Sequence, residues 1–127
     1  MNLKKSFTPL AIAGLLLLGG VAAEAGTSYS ATRNITVPGT NGSAYTASQT
    51  KSISNAASDL SISSITTFNK MDTRAIGPNG AGPWVRNTNV GRYPIPNPTS
   101  AGDTTYLQFS SDFLSNGMTV SFQWRSN

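Results

Sequence analysis

Beyond residue 25 the only acidic side chains are Asp59, Asp72, Asp103 and Asp112, and none of the 127 residues is His or Cys. Without imidazole or thiol the chain cannot build a Ser-His-Asp triad, a Zn site of the usual kind or a disulfide framework. Two carboxyls could still make a glycosidase-type pair if the fold brought them within about 5 to 10 Å. None of the four lies in a catalytic motif, and Asp59 and Asp103 adjoin turn-like segments where Asp commonly bonds its own backbone. Lys51-Ser52 lacks the spacing of a Ser-Lys hydrolase. The stretch from Gly77 to Gly82 has no following Lys-Ser or Lys-Thr and no helix to open, so it is not a phosphate-binding loop. The expectation is a protein that is not an enzyme and that needs no cofactor and no metal.

Recognition chemistry is better represented. The Gly/Pro-rich stretch 77–83 is followed by Trp84, Arg86, Asn87, Arg92 and Tyr93. Trp, Tyr and Arg supply most binding energy per residue when exposed together, so Trp84, Arg86, Arg92 and Tyr93 are the candidate binding residues. The competing reading puts Trp84 in the core and leaves Arg86 and Arg92 as solvated flank. Trp124, in phase with Val120 and Phe122, belongs to the core. From Gly26 onward seven Lys and Arg stand against four Asp, a net charge of +3. That excess is scattered, whereas nucleic-acid binders gather basic residues on one face, so a nucleic-acid partner is not expected. A weak attraction to an anionic wall or membrane surface, fading with salt, is compatible with it.

The first 25 residues differ from the rest. Lys4 and Lys5 precede the apolar run from Leu10 to Leu18, and Ala23-Glu24-Ala25 closes the segment. This is the layout of a secretory signal peptide, with cleavage expected after Ala25. The apolar stretch from Leu10 to Ala23 is shorter than the roughly 20 residues of a spanning helix, so no stable membrane span is expected after cleavage. The expected product is a secreted domain of residues 26–127.

That remainder holds 30 Ser and Thr but only 17 Leu, Ile, Val and Phe. Its low charge and its Trp, Tyr and Phe residues argue for a folded body over disorder. Abundant Thr with Ile, Val and aromatics, and scarce helix formers, predict an all-β chain. Alternation places Tyr29, Ala31, Arg33, Ile35 and Val37 on one face of a first strand, with Arg33 at an edge or rim. Residues 44–53 read as one polar edge strand, with Tyr45, Ala47, Gln49, Lys51 and Ile53 on one side. Leu60 and Ile62 alternate but Ile65 falls out of phase across Ser63-Ser64, which implies a bulge or corner. From Thr66 to Ile76 the inward face is ambiguous. Residues 77–83 read as a loop that does not continue a ladder. Pro94 pushes the strand 90–95 to an edge or strand end, and Pro94, Pro96 and Pro98 give a stiff segment crossing between two sheets. Last comes a pair of strands, Thr105-Leu107-Phe109 and Met118-Val120-Phe122-Trp124, joined through Phe113, Leu114 and an Asn116-Gly117 turn. Six to eight short strands in about 100 residues predict a small antiparallel β-sandwich behind a cleavable signal peptide.

The leader with its Ala-x-Ala cleavage site, the short Ser/Thr-rich β chain and the closing aromatic strand resemble small secreted β-sandwich proteins of Gram-positive bacteria, including lactococcin-type bacteriocins. The resemblance lies in layout and carries over no functional residue. It implies an extracellular β-sandwich acting on other cells or at the envelope. The expected function is surface binding to a cell-wall polymer or cell-surface target, with a bacteriocin-like antimicrobial as the alternative.

Overall fold

The computed structural model describes residues 24–66, 70–113 and 115–127. The leader, apart from Glu24 and Ala25, lies outside the described residues. Eleven strands and no helix occur among them: β1 Glu24–Ala25, β2 Arg33–Val37, β3 Ser43–Tyr45, β4 Gln49–Thr50, β5 Ser58–Ile65, β6 Met71–Gly77, β7 Gly80–Ala81, β8 Val85–Thr88, β9 Gly91–Ile95, β10 Thr104–Ser111 and β11 Met118–Arg125. The described residues are all-β, as the composition predicts. Four strands form one sheet in the order β2-β11-β5-β9, and seven form another around β10 and β6. In the larger sheet β3 and β4 share one edge of β10, while β7 and β8 share the far edge of β6. Every pairing is antiparallel except that of β1 with β4.

Both sheets contribute to one apolar cluster. The smaller sheet sends in Val37, Leu60, Ile62, Ile95, Met118, Val120, Phe122 and Trp124, and the larger sends Met71, Ala75, Leu107 and Phe109. Phe109 and Phe122 meet edge to face with ring centroids 5.1 Å apart. Burying a side chain of this size contributes about 1.5–3 kcal/mol, so the few large residues of a Ser/Thr-rich chain carry much of the driving force. Several polar residues inside are paired with one another, although the buried Thr99 hydroxyl has no partner among the described residues: Thr73 and Thr88 share a hydroxyl contact of 3.0 Å, and the Asn97 amide donates to Ser58 Oγ at 2.9 Å and to Thr105 Oγ1 at 3.1 Å. Asn97 thereby anchors the Pro94-Pro96-Pro98 segment, which does run from β9 in one sheet to β10 in the other. Pro94 itself sits on the edge strand β9 opposite Asp59, where its missing N–H costs no ladder bond.

Several sequence expectations find their physical basis here. Between β5 and β11, Ile62 faces Phe122 and Ser64 faces Ser121, so Ser63 is the extra residue of a bulge that sets Ile65 out of phase. The outer strand β2 carries Arg33 in an exposed position, as an edge strand allows. In β6 the ambiguity is resolved by Met71, Thr73 and Ala75 pointing inward.

Three expectations are corrected. Residues 44–53 are not one strand. Tyr45 faces Gln108 and Gln49 faces Thr105, so four steps on one side match three on β10. The extra residue reverses the pleat, leaving Tyr45 exposed while Gln49 and Lys51 are buried at 1 % exposure each. The Thr46 hydroxyl bridges the gap by accepting the Leu107 N–H at 3.0 Å. Lys51 is held inside because its ammonium donates to the main-chain oxygens of Ile53 at 2.8 Å, Ala56 at 2.6 Å and Asn127 at 3.1 Å, one acceptor for each of its three N–H bonds. The second correction concerns 77–83, which does continue a ladder: Gly77 faces Gly80 and Ile76 faces Ala81 around a Pro78-Asn79 turn, with Gly80 at φ +105° where a side chain would be strained. Third, β10 and β11 do not pair. β10 already has β3 and β4 on one edge and β6 on the other, so the chain from Asp112 to Gly117 crosses between sheets and leaves Phe113 64 % exposed.

Candidate functional site

Alternation along β10 and β6 determines which side chains the larger sheet turns away from the core, where Gln108 and Asp72 are covered by their neighbours to 7 % and 9 % exposure. With Leu107, Phe109, Met71, Thr73 and Ala75 facing the core, Tyr106, Gln108 and Ser110 on β10 and Asp72, Arg74 and Ile76 on β6 must face away from it. The register aligns them in rows across the strands: Tyr45, Gln108 and Arg74 in one, and Ser43, Ser110 and Asp72 in the next. Trp84, on the link between β7 and β8, covers the end of the first row, with the Arg74 guanidinium carbon 4.4 Å from its ring centroid. At the other end Tyr45, 53 % exposed, meets Tyr106 edge to face at 5.8 Å. Strand spacing puts Tyr45 and Arg74 about 10 Å apart.

The polar groups between these aromatics are held in place. Arg74 Nε donates to Gln108 Oε1 at 2.8 Å, and Gln108 Nε2 donates to Ser43 Oγ at 3.0 Å and to Tyr45 OH at 3.4 Å. A guanidinium thus keeps its terminal N–H groups for a ligand while its Nε is tied down, and the glutamine amide is oriented from both ends. Stacking on Trp84 fixes the Arg74 plane further.

Trp84 is neither core nor free surface: it is half-buried on Arg74. Arg86 stands on β8, its side chain 70 % exposed, and pairs with Asp72 at 2.7 Å. Asp72 also accepts the Asn87 N–H at 3.1 Å, where the chain turns through φ +59°. The carboxylate therefore braces an irregular strand. Arg92 and Tyr93 belong to β9 in the other sheet, so the four expected binding residues divide into two pairs. Tyr93 packs against the core and its OH accepts the Asn89 N–H at 3.0 Å. Arg92 is exposed and makes no hydrogen bond or ion pair with another described residue.

The sequence reading missed Tyr45, Arg74, Tyr106 and Gln108. The signal for Tyr106 and Gln108 was present, because residues between Thr105, Leu107 and Phe109 must face outward. Arg74 was hidden by the undecided phase of β6, and Tyr45 by the bulge after it.

As for catalytic groups, Asp59 and Asp72 are each engaged by an arginine, and no cluster of three or more potential metal ligands occurs among the described residues. No family model, curated protein or solved structure matches the chain.

Proposed function

We propose that this chain is a secreted, non-enzymatic binding protein: a small β-sandwich, freed of a signal peptide at residues 1–25, that holds a polysaccharide of the cell envelope on the outward face of its larger sheet. The observation that carries this reading is the row Tyr45-Gln108-Arg74-Trp84, in which aromatic rings flank hydrogen-bonding groups fixed by their neighbours. Sugar rings offer apolar C–H faces that lie on aromatic rings, and hydroxyls that pair with amides and guanidinium groups. An open, flat face suits a chain of such units better than a small molecule, which prefers a concave pocket. The preset orientation of Arg74 and Gln108 lowers the entropy lost on binding. The leader supports a site of action outside the cell.

The test is retention of purified protein on insoluble cell-wall polysaccharide at low salt, for the wild type and for Tyr45→Ala and Trp84→Ala. Aromatic anchors of this kind typically account for more than 1 kcal/mol each, so each variant should lose roughly tenfold in affinity. Retention of both variants equal to wild type, with their melting curves unchanged, would remove the outward face as the binding surface.

A further inference from the structure

The other sheet carries a second feature, independent of that face. A cleft of about 280 Å³ opens at the end of β5, β9 and β11, lined by Tyr29, Asp59, Arg92, Tyr93, Pro94 and Arg125. We propose that this cleft is an oxyanion site, taking a phosphate or carboxylate group between the guanidinium groups of Arg92 and Arg125.

Charge count points there first. Two guanidinium groups face one carboxylate, so a unit of positive charge is left over in a space that would hold roughly nine waters. The Asp59 carboxylate is also engaged by its neighbours, through one of its two oxygens. Its Oδ2 accepts Arg125 Nε at 2.8 Å and Asn127 Nδ2 at 3.0 Å. Both donors fall on Oδ2, and Arg92 acts on the carboxylate through its charge, making no hydrogen bond or ion pair of its own with another described residue.

Geometry points the same way. Arg125 stands in β11 opposite Asp59, and Arg92 in β9 opposite Ser61, two residues further along β5. Both project from the face turned away from the core. Arg125 is fixed on two sides: its Nε is tied to Asp59, and its guanidinium lies 4.8 Å from the Tyr29 ring centroid. Its terminal N–H groups stay available in a defined plane. Such a plane suits the two oxygens of a carboxylate or phosphate, which arginine binds in a forked manner. Pro94, opposite Asp59, has no N–H to add, so the cleft draws its donors from side chains. Asp59 acts as the positioning residue for Arg125 and, as a like charge, weakens the incoming anion.

That opposition gives a test with two signs. Dimethyl phosphate and acetate are titrated separately into the isotope-labelled protein, with choline chloride as a cationic control, and arginine side-chain and β9 amide signals are followed by NMR. At least one anion should saturate with shifts confined to the cleft, and the one that does identifies the source as phosphodiester or carboxylate. Arg92→Gln should weaken binding roughly tenfold, as expected for loss of a charge-assisted partner. Asp59→Asn keeps an acceptor for Arg125 and removes the opposing charge, so it should strengthen binding several-fold. Trp84→Ala, on the other sheet, should leave it unchanged, which separates this site from the polysaccharide face. Failure of both anions to saturate, equal binding by Arg92→Gln and wild type, or weaker binding by Asp59→Asn would each overturn the proposal.

Discussion

Replacing Lys51 with Met should destabilise the fold by about 2–4 kcal/mol. Lys51 is 1 % exposed, and its ammonium donates to three main-chain oxygens, those of Ile53, Ala56 and Asn127. Losing three hydrogen bonds from a charged donor costs about 1.5–3 kcal/mol each, and it leaves the Ala56 carbonyl without a partner among the described residues, while the Ile53 oxygen keeps the Ala56 N–H and the Asn127 oxygen keeps those of Ser52 and Ile53. Relief from holding a cation out of water returns several kcal/mol of that. The balance remains a large share of the 5–15 kcal/mol typical of a small domain. Urea unfolding at pH 7 measures it, with Lys70→Met as an exposed control expected to stay within about 0.5 kcal/mol. Burial also pulls the Lys51 pKa below its ordinary 10.5. The unfolded chain therefore holds that proton more tightly, and stability rises as pH climbs from the depressed value toward 10.5. The Met variant should lack this rise. A loss under about 1 kcal/mol, or a gain, would refute the claim that these three hydrogen bonds outweigh the cost of burying the cation.

Asp59 governs the acid limb. Burial pushes its pKa up, but hydrogen bonds from Asn127 and Arg125 and the charges of Arg125 and Arg92 together outweigh that and hold the carboxyl below 3.8. Its contribution is complete above 3.8 and disappears as pH falls through the lower folded value; acid unfolding of Asp59→Asn should lack this component, and an identical acid profile would contradict it. Gly82→Ala should lower the melting temperature, because a Cβ there would lie 2.7 Å from the Pro96 carbonyl oxygen. Overpacking of this kind costs about 1–3 kcal/mol, and an unchanged thermal melt would show that the slot can widen.

The sequence disclosed those parts of the fold that depend on local alternation. Thr105, Leu107 and Phe109, and Met118 through Trp124, read correctly because each strand is long enough to show its period and has one face in the core. Pro94 marked an edge and Ser63 a bulge through backbone chemistry that acts within a few residues. What stayed hidden depends on partners far along the chain. The extra residue between Tyr45 and Gln49 is visible only against β10, and it turned Lys51 inward. The division of Trp84 and Arg86 from Arg92 and Tyr93 followed from which sheet each short strand joined, and nothing in residues 84–93 records that choice. The face built from Tyr45, Gln108, Arg74 and Trp84 draws on four separate segments, so no local motif could announce it.

The burial of Lys51 has a practical corollary. Residues 26–127 contain just two lysines, and with one sealed inside, Lys70 is the side-chain amine that meets water. It lies just before β6, at the end of the molecule where β5 finishes. The Arg125-Asp59 pair lies at the opposite end of β5, about 20 Å away by strand rise. With the α-amine blocked, an amine-reactive tag or bead would therefore tether the native protein by a defined corner, at the opposite end of β5 from the arginine-lined cleft.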